Sequence, residues 1–204
     1  MITLDLLPAL LGFAFVMSIT PGPNNLMLLA SGANFGVRRS VPHLLGVAIG
    51  HSAMIVLLGL GLAQVFETVP GSKLALEVVS VLYMLWLAWK FGTATPKSLD
   101  APETGGRPLT FLQAAAFQWV NPKGWAMALT ALAAYTADDS LGAVLLVAAV
   151  FMATNLPCIS VWAAFGQVMR QVLNTPARLR AFNITMAVLL VATLWPILRT
   201  LAAA

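Results

Sequence analysis

The residues best equipped for chemistry interrupt an uncharged apolar stretch at its middle: Thr20-Pro21-Gly22-Pro23-Asn24-Asn25. A smaller echo, Val120-Asn121-Pro122-Lys123, interrupts a second apolar stretch in the other half of the chain. Each proline lacks an N–H and clashes with the preceding helical turn, so a helix must open there and leave carbonyls and amides without intrahelical partners. In an apolar setting such backbone is tolerated where it is buried in protein or lines a watery cavity, and a matched pair in two halves points to a transporter's substrate site. Pro21, Gly22 and Pro23 open the first helix, and Asn24 and Asn25 begin a second half-helix whose free N–H groups and partial positive charge suit a carboxylate. Asn121 and Lys123 do the corresponding work in the second half, with Gln118 one turn earlier able to bond a ligand or the broken backbone. Asn155, beside Pro157, is placed to bond across a helix bundle. His51 is the proton-carrying candidate, because an imidazole's ordinary pKa of about 6.5 lies near physiological pH. Each residue also has a structural reading: a kink packed by neighbouring helices, a lysine reaching for the interface, a histidine that only fills space.

Composition says what kind of elements must hold these residues. Of 204 residues 60% are hydrophobic and only 9% charged, with a mean hydropathy of +0.89. A soluble domain carries about 25% charged residues, so a lipid bilayer is the expected surrounding. The net charge of +4 comes with no basic run longer than Arg38-Arg39, which argues against nucleic acid. Cys158 is the only cysteine, so no disulfide can form within the chain and thiol–disulfide exchange has no second partner. With just His43 and His51 and no acidic pair inside a span, a metal site is not expected, and no phosphate-cradling loop implies a nucleotide. No cofactor is expected and the chain is not read as an enzyme. The alternatives are an exporter of another small solute or metal ion, or a channel.

About 20 apolar residues cross a bilayer core as a helix. The gaps between charged clusters predict spans at 5–34, 42–66, 72–92, 108–135, 141–169 and 179–199. The fold class is therefore all-α integral membrane, with six transmembrane helices, helices 1 and 4 being broken. Tyr83, Trp86, Trp89 and Lys90 supply an interfacial anchor at the end of the third span. Arg38, Arg39, Lys90, Lys97, Arg107, Arg170, Arg178 and Arg180 fall in loops on one side, against Lys73 and Arg199 on the other, so both termini are expected outside. The acids Asp5, Glu67, Glu77, Asp138 and Asp139 fall on that outer side. Met1 to Asp5 has no positive lead-in, and the first span is expected to be retained. The chain reads as a single transporter domain, 1–204, whose halves 1–102 and 103–204 have three spans each and so insert as inverted repeats. Gly92 to Pro108 is their natural joint. The Gly46-x-x-x-Gly50 spacing is expected to be helix-packing surface.

The string Ser18-Ile19-Thr20-Pro21-Gly22-Pro23-Asn24-Asn25, the glycine-spaced stretch Gly46 to Gly61 and Asn121-Pro122-Lys123 resemble the lysine exporter superfamily, also called the threonine and homoserine efflux family. The likeness spans essentially the whole chain. Trp86-Leu87-Ala88-Trp89-Lys90, Phe117-Gln118-Trp119-Val120-Asn121 and Thr130-Ala131-Leu132 look most like the branch that exports cysteine and O-acetylserine. The resemblance implies export of a small amino acid or derivative across a bacterial inner membrane, driven by the proton gradient. Many members carry a glycine near Ala115 and an acidic residue near His51; this chain has neither, which argues against a simple carboxylate proton relay. The partners expected are an amino acid, protons and lipid; assembly as a homo-oligomer is left open.

Overall fold

The computed structural model describes residues 6–93, 106–136, 140–195 and 198–199. Asp5, Lys97, Asp138, Asp139, most of the expected joint between the halves and the terminal Ala202 to Ala204 lie outside the described residues. Every regular element among the described residues is helical: α1 (Leu7–Ile19), α2 (Pro23–Phe35), α3 (Val37–Gly59), α4 (Val65–Thr68), α5 (Ser72–Gly92), α6 (Phe111–Phe117), α7 (Pro122–Tyr135), α8 (Leu141–Met169) and α9 (Pro176–Ala192).

The first and fourth expected spans are each a pair of half-helices. α1 stops at Ile19 and α2 starts on Pro23; α6 runs into a tight turn over Gln118–Val120, and α7 starts on Pro122. Both restarts put proline at the first helical position, where its missing N–H costs nothing and its fixed φ favours the helix. α3, α5 and α8 are each long and apolar enough to cross a membrane alone, and α1 is a shorter apolar helix.

The second and sixth spans begin earlier than expected. Gly36, at φ 79°, turns the chain between α2 and α3 in a single residue, so Arg38 and Arg39 lie in the first turn of α3 and not in a loop. α9 starts at Pro176 because the Thr175 hydroxyl accepts from the Arg178 N–H at 3.3 Å. At the other end α3 stops at Gly59, and a turn over Leu62–Gln64 leads into α4. Pro157 lies inside α8, which runs through it as one helix.

α8 is the hub, packed by α1, α2 and α3, while α3 also carries α6 and α5 packs on α9. Apolar helices gain little from leaving lipid for one another, so close packing through small residues has to hold them. Gly32 meets the Ala163 backbone, and Gly166 meets the Leu29 carbonyl, so α2 and α8 touch main chain to main chain. Gly46 and Gly50 do the same for α3 against α6; a Cβ on Gly50 would stand 2.6 Å from Ala115 Cα. Most of α3 is buried, whereas α5 and α9 turn Leu82, Trp89 and Val188 outward. Near the end of α5 the Lys90 ammonium lies 4.6 Å from the centre of the Trp86 ring.

Candidate functional site

A break in a buried helix is stable only if every freed group finds a partner. At the first break the carbonyls can be followed one by one. Val16 accepts from the Thr20 N–H at 3.1 Å, and Met17 from the Thr20 hydroxyl at 3.2 Å. The Asn25 amide reaches back to Ser18 (2.9 Å) and Thr20 (2.7 Å), closing the break from the α2 side. The Trp162 indole donates to Ile19 at 3.0 Å from α8. Thr20 takes a second donor, the Lys123 ammonium, at 2.7 Å, with Thr20 Oγ1 at 3.0 Å and the Pro21 carbonyl at 3.5 Å from the same nitrogen. The second break repeats the device: the Trp125 indole donates to the Trp119 carbonyl at 2.9 Å. Trp125 and Trp162 thus cap the two breaks.

The amide ends are arranged alike in the two halves. At α2 Pro23 has no N–H and Leu26 already donates to Gly22, which leaves the N–H groups of Asn24 and Asn25 without an intrahelical acceptor. At α7 Pro122 has none and Trp125 donates to Asn121, which leaves Lys123 and Gly124. These four residues line one cleft of about 310 Å³ of empty space, its open mouth included. Two helix N-termini therefore converge, each adding partial positive charge, and Lys123 adds a full one. No Asp or Glu is among the described residues of the lining.

Gly22, Asn24, Asn25, Asn121, Lys123, Asn155 and His51, all picked from the sequence, come together in this lining. Pro21, Pro23 and Gln118 do not line it. The prolines set the turn, and Gln118, fully buried, stands behind the wall and holds Asn24 through a reciprocal amide pair of 2.9 and 3.2 Å. Its amide also donates to the Ala114 carbonyl at 2.9 Å, so Gln118 is occupied by protein. Asn121 Oδ1 and Ser18 Oγ are buried without a hydrogen-bond partner. So are both ring nitrogens of His51, which packs edge-on to Phe151 at 5.3 Å between centroids. Such groups carry a standing cost unless a ligand or water satisfies them.

Met17, Ser18, Gly124, Met127 and Ile159 complete the lining and were not singled out as site residues. Ser18 and Gly124 adjoin the two motifs and could have been found by extending each by one or two residues. Met17, Met127 and Ile159 are ordinary apolar residues in apolar helices and carry no signal of their own.

Polar half-helix ends face each other inside an apolar helical bundle, and the comparisons with known proteins say which class of protein this is. Residues 15–193 match the model of the LysE type translocator family. The chain belongs to that family. It is 30% identical over 196 residues to the cysteine/O-acetylserine efflux protein of Escherichia coli O1:K1 / APEC, covering 93% of this chain and 95% of that one. The proteins of the same name from Escherichia coli K12 and Shigella sonnei Ss046 are 29% identical with the same coverage. No solved structure matches the chain. The apolar helices and the family together describe a multi-pass membrane transport protein.

Proposed function

We propose that the protein exports a small amino acid or derivative from the bacterial cytoplasm, with cysteine and O-acetylserine as the first substrates to test, through the cleft between the two breaks. The observation that carries this reading is the convergence of the α2 and α7 N-termini with Lys123 on one lining that lacks acidic groups. A carboxylate is the part common to all amino acids, and two helix N-termini offer it N–H donors and positive potential. The relatives' names supply the substrate class.

Six spans in two inverted halves account for the packing. α1 of the first half lies on α8 of the second, and α6 of the second lies on α3 of the first; α3 meets α8 and α5 meets α9. α3 and α8 thus each pack on the other half's broken span, which supports the reading of two inverted repeats. The lysines and arginines gathered at one set of helix ends, Arg38, Arg39, Lys90, Arg170, Arg178 and Arg180, support a reading with both termini outside. Rocking of the halves then exposes the cleft to either side in turn. Proton antiport is assigned to His51, which lines the cleft with both ring nitrogens unpartnered.

Metabolite profiling of cells with and without overexpression tests the substrate: the exported compound falls inside and rises outside. In proteoliposomes, flux that saturates with unlabelled amino acid and collapses with an uncoupler supports coupled transport. Non-saturating flux independent of the gradient supports a channel and overturns the proposal.

A further inference from the structure

An amino acid brings an ammonium as well as a carboxylate, and the lining offers that ammonium no acid. The richest group of oxygens at the break is the Thr20 carbonyl, the Thr20 hydroxyl and the Pro21 carbonyl, lying at the C-terminal end of α1 where the helix dipole is negative. All three face one cation, the Lys123 ammonium, at 2.7, 3.0 and 3.5 Å. Lys123 belongs to the first turn of α7, the positive end of a helix, where a cation is disfavoured. Its side chain leaves that end and crosses to the other half, passing over Gly22; a Cβ there would stand 2.6 Å from Lys123 Cδ. Glycine makes the path, and Thr20 and Pro21 are exposed residues at the edge of the cleft, next to Gly22 and Lys123 of its lining.

We propose that Thr20 and Pro21 form a binding site for a primary ammonium group, which Lys123 fills as a tethered placeholder and which the ammonium of the transported molecule takes over. This deepens the export reading and rests on it for the identity of the incoming ligand. The free amides of Asn24 and Asn25 follow directly in the same break, so one zwitterion spans it: ammonium on the α1 carbonyls, carboxylate on the α2 amides. The displaced Lys123 is then a cation beside that carboxylate. An empty cleft keeps its two halves joined by Lys123, and a loaded one exchanges that link for contacts to the substrate.

The test uses the full chain in proteoliposomes, as wild type, Lys123→Met and Gly22→Ala. The first variant removes the ammonium and keeps a linear side chain one atom shorter; the second displaces the side chain and keeps its charge. The probes are n-propylammonium chloride and, at equal ionic strength, tetramethylammonium chloride, which has no N–H. Propylammonium is expected to raise the thermal midpoint of both variants at concentrations about tenfold lower than for the wild type, the factor for a site free about a tenth of the time. Tetramethylammonium is expected to do nothing. An equal response of all three proteins, or equal potency of the two cations, overturns the proposal. Loss of folded protein in both variants also overturns it, since a placeholder is dispensable for folding; if only one is lost, the other decides. Export of O-acetylserine by the wild type is measured in the same vesicles. Its absence overturns O-acetylserine as the substrate and leaves the ammonium site to the thermal data, whereas export without a propylammonium effect overturns the ammonium site alone.

Discussion

Asn25 offers the sharpest test of how the first break is held. Its amide nitrogen donates to both Ser18 (2.9 Å) and Thr20 (2.7 Å), and the side chain is almost wholly buried. Asn25→Ala removes both bonds, but the two carbonyls are not left equal. Thr20 keeps the Lys123 ammonium. Ser18 is left with no donor from this side chain inside an apolar bundle. Two bonds at about 1 kcal/mol each, plus about 1–3 kcal/mol for a buried acceptor left bare, predict a loss of about 3–5 kcal/mol. For a chain of this length that is a fall of about 9–15 °C in the thermal midpoint, at about 3 °C per kcal/mol. Asn25→Asp is the discriminating partner, because it keeps the shape and sets a carboxylate oxygen against two carbonyl oxygens. It is expected to be less stable than Asn25→Ala, with less folded protein recovered from membranes. The assay is fluorescence-monitored unfolding of the detergent-solubilised protein, with export measured in parallel. If Asn25→Ala melts within about 2 °C of wild type, well inside the shift that losing these bonds implies, or if Asn25→Asp is as stable as Asn25→Ala, the clasp does not hold the break.

Asn24→Ala and Asn121→Ala are expected to abolish export while leaving membrane insertion intact; unchanged export by both variants removes the proposed site. His51→Ala is expected to change the shape of the pH profile of transport; a profile of unchanged shape makes His51 a packing residue. Gly166→Leu drives a side chain into the Leu29 carbonyl and is expected to leave little folded protein, whereas Gly12→Ala and Gly142→Ala, where nothing lies within 4 Å, should express as wild type; equal expression of all three in a membrane-fraction blot contradicts the α2–α8 contact.

What could be read from the residues and what could not divide along sequence distance. The breaks were legible because proline acts on its own helix: Pro21, Pro23 and Pro122 each remove a donor within a few residues, and the half-helices follow. The meeting of Asn24 with Asn121 and Lys123 was legible only as a consequence of pairing two broken helices, while Asn155 and His51, on α8 and α3, were picked for their own chemistry. The partners of the freed carbonyls were not. Trp162 caps Ile19 across 143 positions, and an indole in an apolar helix reads as packing wherever it points. Gln118 shows the converse, since a polar residue one turn from a break reads as a ligand, and only the fold shows it turned toward Asn24. The turn at Gly36 was missed because charge was taken to mark a loop, whereas a helix's first turn exposes Arg38 and Arg39 equally well.

The capping of the first break also imposes an order in time. A chain that leaves the ribosome N-terminus first delivers Ser18 and Thr20 with Asn25 close behind, so part of the break closes as soon as α2 forms. Ile19 waits for Trp162, 143 residues downstream, and the second donor to Thr20 waits for Lys123, 103 residues downstream. The first half therefore lacks two of the donors that cap its break until α7 and α8 have been made. Assembly of this transporter is completed from its second half backward, and its earliest-made helix is among the last to settle.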